Sequence, residues 1–239
     1  MFRRNKINFR KASPGTINYN KEYNRYTYLV EQRENIFLLL TLLNGNLVLN
    51  HRYNQFIKVA NDFNIKLFKG KKYHKFLNIS SEQVLPGLND AWLSGFIDAE
   101  GHFGGRSHPI EKGRKFISSY ISITFEIGQN GEEWLFYHLK NIFKGGIVKI
   151  AKYKEAHSFK SNKNNINHSR IIFKGGRSHK LGKNPVTLLF DYFDKYQVKV
   201  KKKIYDEWRD IHNSLLKKDH LNPELLSKLV SRCEKLNDR

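Results

Sequence analysis

The chain has 239 residues, 39% of them hydrophobic, enough for one large core or two small ones. Lys and Arg number 43 against 22 Asp and Glu, a net charge of +21, which requires a polyanionic partner: nucleic acid or an anionic membrane surface. No apolar run reaches the roughly 18 residues that span a bilayer, and the 17 Phe and 12 Tyr are dispersed among Lys, Arg and Asn, which favours nucleic acid. The single Cys233 excludes disulfides and a cysteine-based zinc site.

The first eleven residues are basic and free of acid; with Arg3 and Arg4 they form an arm suited to phosphates, or part of a targeting signal. Gly15-Thr-Ile opens a strand and Arg25 to Val30 forms another. Asn35 to Leu43 is an apolar helix, Asn44-Gly45 a turn, and a further helix runs from Leu47 through Phe56 and Ala60. Lys69 to Leu88 reads as a linker. Pro86 and Gly87 break the chain, and Asn89 or Asp90 can cap a helix over 92–100. That helix places small residues, Ala91, Ser94, Gly95 and Ala99, on one broad face. Asp98 and Glu100 fall at its negative end, where each carboxylate costs about 0.3–1 kcal/mol unless compensated; a divalent cation would compensate.

Residues 116–127 are strand-like, with period two at Ile121, Ile123 and Phe125. Glu132 to Phe143 is a helix, Gly146–Ile150 and Arg170–Phe173 are strands, Asn184 to Phe193 is a helix, and another runs from Val198 through Trp208 to Ile211. The order strand, strand, helix, helix therefore occurs twice. Matching Leu47 to Val198 sets Asn50 against Lys201 and Val48 against Lys199, as expected of duplicated half-domains. Gly-Gly-Arg-Ser-His also occurs twice, at 104–108 and 175–179. Residues 152–168, rich in Lys, Asn and Ser, suit an insertion that orders on RNA.

Leu93-Ser-Gly-Phe-Ile-Asp-Ala-Glu-Gly101 resembles, position by position, the signature helix of the LAGLIDADG homing endonucleases and intron maturases, and it occurs once. The resemblance extends to 184–212 and, through Leu43-Asn-Gly-Asn-Leu47, to 15–60. It implies an α+β fold: an αββαββα repeat with a saddle-shaped antiparallel sheet at 89–239, a linker at 69–88, and a truncated first repeat at 1–68 that keeps only the rear half. It also implies that Glu100, with Asp98, binds Mg²⁺, that Lys201 is the basic catalytic residue, and that Ser94, Gly95, Ala99 and Gly101 form a helix-pairing face. Since the family uses two such helices, and neither the first helix nor its matching lysine is present, the expected function is binding of structured RNA without cutting. An intron RNA or the ribosomal RNA of a mitochondrial ribosome would suit it, with no cofactor and with ribosomal proteins as neighbours. Alternatives are an Mg²⁺-dependent endonuclease acting on DNA, completed by dimerisation or by a separate chain that supplies the missing motif, and an intron-splicing maturase. Phosphate contacts are expected from Arg3, Arg4, Arg25, Arg52, Arg106, Arg114, Lys115, Lys149, Lys152, Lys154, Lys174, Arg177 and Lys199. The Lys, Asn, Ile, Phe and Tyr usage fits an A/T-rich organellar gene and a mitochondrial location.

Overall fold

In the computed structural model the described residues are 15–69, 77–80, 84–108, 120–152, 167–176 and 185–237. The chain divides into two compact units, Met1–Leu85 and Pro86–Arg239.

Unit 1 contains the hairpin β1 (Thr16–Asn20) and β2 (Arg25–Leu29), then α1 (Arg33–Leu43) and α2 (Asn50–Lys69). Leu40, Phe56, Ala60, Phe63 and Leu77 form its small core, with Ile36, Phe37 and Leu47 packed around it. Part of the expected linker belongs to this core. Asn64 pairs in both directions with the Leu77 backbone (3.0 Å each), and the Asn44 side chain accepts from the Ser80 N–H (2.9 Å) and donates to the Asn78 carbonyl (2.6 Å). Polar side chains in α1's exit turn and in α2 thus hold 77–80, which composition alone assigned to a spacer.

Unit 2 runs α3 (Trp92–Glu100), β3 (Gly101–His108), β4 (Tyr120–Asn130), α4 (Glu133–Ile142), β5 (Ile147–Lys152), β6 (Asn167–Lys174), α5 (Pro185–Lys195), α6 (Lys202–Leu216) and α7 (Pro223–Lys235). The αββαββα order expected from the sequence is present, followed by two more helices. The sheet is antiparallel, in the order β3-β4-β6-β5.

Alternation decides which sheet face is dry. Phe103, Ile123, Phe125, Ile127, Ile171 and Phe173 are all buried beneath the helices. Phe125 stacks on Phe103 (4.6 Å) and Phe173 (5.8 Å), and Trp208 of α6 meets Phe103 at 5.8 Å while its indole N–H donates to the Thr124 carbonyl (3.1 Å). Gly105 brings α7 close: a Cβ there would lie 3.0 Å from the Cβ of Cys233. At the β3 edge the Asn237 amide donates to the Gly105 carbonyl and accepts from its N–H, taking the place of a neighbouring strand.

Both late-repeat helices start after the expected residue. Val48 and Val198 are buried in the lead-ins, and α2 and α6 begin at Asn50 and Lys202. The buried positions Phe56, Ala60 and Phe63 of α2 follow the spacing of Trp208, His212 and Leu215 in α6, which sets Leu49 against Lys201; matching the buried valines sets His51 there. The register that paired Asn50 with Lys201 satisfies neither. In both packing registers the first repeat has no lysine at this place.

Candidate functional site: the end of α3 and the open sheet face

The entry of α3 is fixed by short-range chemistry and by α5. The Asp90 carboxylate accepts the Trp92 N–H (2.9 Å), supplying the capping bond although Ala91 is the boundary residue. The Tyr192 hydroxyl accepts from the Ser94 N–H and donates to the Asp90 carbonyl (2.9 Å each); burial pushes its pKa up to about 12, so it stays protonated for the second bond. Ser94 therefore points into unit 2, 4% exposed, and does not belong to an outward pairing face. Gly101 is buried as well: its Cβ would lie 2.7 Å from the Ile97 carbonyl oxygen. The outward stripe consists of Ala91, Gly95 and Ala99, with nothing within 4 Å of a Cβ at Gly95.

At the other end, α3 is joined to the entry of α6. One Asp98 oxygen accepts the Lys199 N–H (2.8 Å) and the other the Lys201 N–H (3.0 Å). Lys201 reciprocates: its ammonium donates to the carbonyls of Ala99 (3.4 Å) and Gly101, where the helix dipole is negative. Asp98 is thereby committed to the α6 entry, which it keeps non-helical until Lys202. Lys201 thus lies at the end of α3, bonded to the backbone carbonyls of the residues on either side of Glu100. Lys199 is exposed in the same loop, and Val200 between them is 82% exposed.

Glu100 is exposed. Among the described residues no three His, Cys, Asp or Glu side chains come together as a metal site. A Mg²⁺ ion takes near-octahedral oxygen ligands and is held by one or two carboxylates plus waters and substrate phosphates. Among the described residues the end of α3 offers one exposed carboxylate, Glu100, and this donor set does not by itself fit a resident cation.

The sheet face opposite the core has a different character. His102, Gly104, Arg106, Ser122, Thr124, Glu126, Lys149, Arg170, Ile172 and Lys174 line an open concavity there. Lys149 stands across from Arg170, and Lys174 across from Thr124. Arg170 lies 3.6 Å from Glu126, both partly exposed, an ion pair of small energetic weight. The structure thus brings Arg106, Lys149 and Lys174 to one concavity. Arg170, which the sequence reading did not single out, lines the same concavity, and its alternation with buried Ser169 and Ile171 marks it as outward. Arg25 and Arg52 lie exposed in unit 1, Arg52 bonded to Gln55 (3.1 Å). Arg3, Arg4, Arg114, Lys115, Lys154, Arg177 and the Lys152 side chain lie outside the described residues.

A helix ending in an acid, joined to a lysine-bearing loop and leading into a four-stranded antiparallel sheet with one basic open face, has the LAGLIDADG-type fold. A family model described as LAGLIDADG endonuclease matches residues 93–174, from α3 to the end of β6. The chain is 26% identical over 215 residues, 90% of its length, to "Probable intron-encoded endonuclease 4" of Neurospora crassa, and spans 34% of that protein. It shares its fold with the LAGLIDADG homing endonuclease I-GzeII in complex with its DNA target (TM-score 0.62, 18% identity, 92% of this chain and 78% of that one). The same holds for I-SmaMI bound to cleaved DNA (TM-score 0.62, 16% identity, 94% and 78%).

Proposed function

We propose that this chain is a homing-endonuclease-like protein that binds duplex DNA across the open face of unit 2 and does not cut it unaided. The observation that carries this reading is an asymmetry: four cations, Arg106, Lys149, Arg170 and Lys174, converge on one sheet face, while the end of α3 offers a single exposed carboxylate. Cations that neutralise phosphates release counterions, so binding survives without a complete catalytic centre. Cleavage would need at least one acidic ligand beyond those the described residues supply at the end of α3. Nothing on the sheet face distinguishes a ribose from a deoxyribose backbone; the DNA in the solved relatives weighs toward DNA and against the RNA preference read from composition. The intron-encoded fungal relative and the high usage of Lys, Asn, Ile, Phe and Tyr, residues with A/T-rich codons, support a mitochondrial setting.

The test is duplex-DNA binding and cleavage across a salt series, with an RNA duplex of the same sequence as competitor and Mg²⁺ present and absent. Affinity should fall by about 0.9 log units per neutralised phosphate per decade of salt, and Lys149→Glu should lower that slope by about one. A salt-independent affinity would refute the sheet-face reading. Specific nicking by the isolated chain, abolished by Glu100→Gln, would refute the absence of cutting, and preferential capture by the RNA competitor would overturn the choice of DNA.

A further inference from the structure

We infer that Glu126 and Arg170 together read one G·C base pair through its major-groove edge, Glu126 taking the cytosine and Arg170 the guanine. This rests on the duplex-DNA reading of the open face and assigns to that face its specificity-determining pair.

The open face is not uniformly cationic. Strand register sets His102, Glu126, Ile172 and Ile147 in one row across the four strands. That row holds a carboxylate and no Lys or Arg. Two of the four cations, Arg106 and Lys149, stand on the outer strands β3 and β5, while Glu126 and Arg170 stand on the inner strands β4 and β6. The major groove of B-DNA admits a two-stranded ribbon between its phosphate walls. Cations on the outer strands suit those walls, and side chains on the two inner strands suit the base edges between them.

A face that only held phosphates would gain nothing from Glu126, because a negative charge there opposes the electrostatic attraction that supplies non-specific affinity. The fold does not call for it either. Glu126 lies 3.6 Å from Arg170, beyond hydrogen-bond length, with side chains 30% and 43% exposed, so the pair contributes little and is cheaply opened. Base chemistry accounts for both residues. A carboxylate accepts from the cytosine N4 amino group, and a guanidinium donates to guanine O6 and N7. In a G·C pair, O6 and N4 are joined by a hydrogen bond and therefore lie about 2.9 Å apart. Nη1 of Arg170 and Oε2 of Glu126 present a donor beside an acceptor at a similar spacing, 3.6 Å. An A·T edge is a poorer match. Its one amino group has an acceptor on each side, adenine N7 and thymine O4, which would face the Glu126 carboxylate.

The experiment is selection by the full chain from synthetic duplex DNA carrying a randomised window, followed by affinity measurements at fixed salt. The unsubstituted chain should enrich a G·C pair at a defined position. Glu126→Gln, which keeps the size of a partly exposed side chain, should lower that preference about fivefold or more and move it toward adenine, which a Gln amide bonds at N6 and N7. Its affinity for unrelated duplexes should hold or rise. Arg170→Ala should relax the preference at the same base pair, and Lys149→Ala should weaken all sequences alike. A base preference unchanged in Glu126→Gln overturns the inference, as does a Glu126→Gln effect that raises affinity for every sequence equally. Effects of Glu126→Gln and Arg170→Ala at two different base pairs also overturn it. These results leave the duplex-DNA reading standing, whereas failure of the unsubstituted chain to bind duplex DNA refutes that reading and the inference with it.

Discussion

Removing the Asp98 carboxylate should loosen unit 2 more than a half-exposed acid ordinarily would. Its two oxygens accept the N–H groups of Lys199 and Lys201 at 2.8 and 3.0 Å, bridging about a hundred residues of sequence. A hydrogen bond to a charged group contributes about 1.5–3 kcal/mol. Because Asp98 is only partly buried, the lower end applies, and Asp98→Ala should cost about 2–3 kcal/mol. Asp98→Asn retains one acceptor oxygen and should lose about half of that. Trp92, Trp134 and Trp208 are the chain's three tryptophans and all lie in unit 2, so tryptophan fluorescence during urea unfolding reports this unit alone. The midpoint should fall with the slope unchanged. If Asp98→Ala shifts stability by less than about 0.5 kcal/mol, the size of an ordinary surface substitution, the joint between α3 and α6 is not held as described.

Three further outcomes follow from the same geometry. His212 accepts the Gly176 N–H (2.9 Å), and burial, with a smaller contribution from Arg209, holds its pKa down to about 4. Between that value and the 6.5 of an unshifted imidazole the unfolded chain binds a proton that the folded one refuses. Stability should therefore fall as pH drops through this window, by at most about 1.4 kcal/mol per unit, and His212→Gln should flatten the profile of urea midpoints. Arg209 holds the Asp194 carboxyl below its usual range, so that pair stabilises above the unfolded carboxylate pKa and is lost as pH falls through the depressed one; acid titration of Asp194→Asn should lack this component. Phe125→Ala, at the stacked centre of the sheet core, should cost about 3–5 kcal/mol in thermal or urea unfolding.

The fold was legible wherever periodicity and turn chemistry agreed. The alternation of Ile123 and Phe125 marked β4's dry face, Asn44-Gly45 marked a turn whose glycine has φ of +74°, and the motif helix ends at Glu100 as its pattern required. Helix starts were less legible. Val198 looks like a first helical residue, but the entry to α6 is set by Asp98, distant in sequence and chemically silent until folded. The Lys69–Leu88 stretch reads as a spacer because Leu77, which is buried, stands outside any apolar period, and the asparagines that hold 77–80 lie in other elements. At the site, the motif located the end of α3 but could not separate its two acids. Which carboxylate is spent on backbone N–H groups and which faces outward depends on the α6 loop.

The Asn237 amide bonded to Gly105 joins residues 132 positions apart, at the outer strand of a sheet whose other pairings are much shorter in sequence. This closure carries a kinetic cost, because long-range contacts form only after most of the chain between them is in place. During synthesis, β3 would leave the ribosome with its edge bare and remain so until α7 followed, a window in which it can recruit a foreign strand. Yield of soluble protein should thus depend on the speed with which the far end of the chain arrives, even though α7 contributes nothing to the basic face.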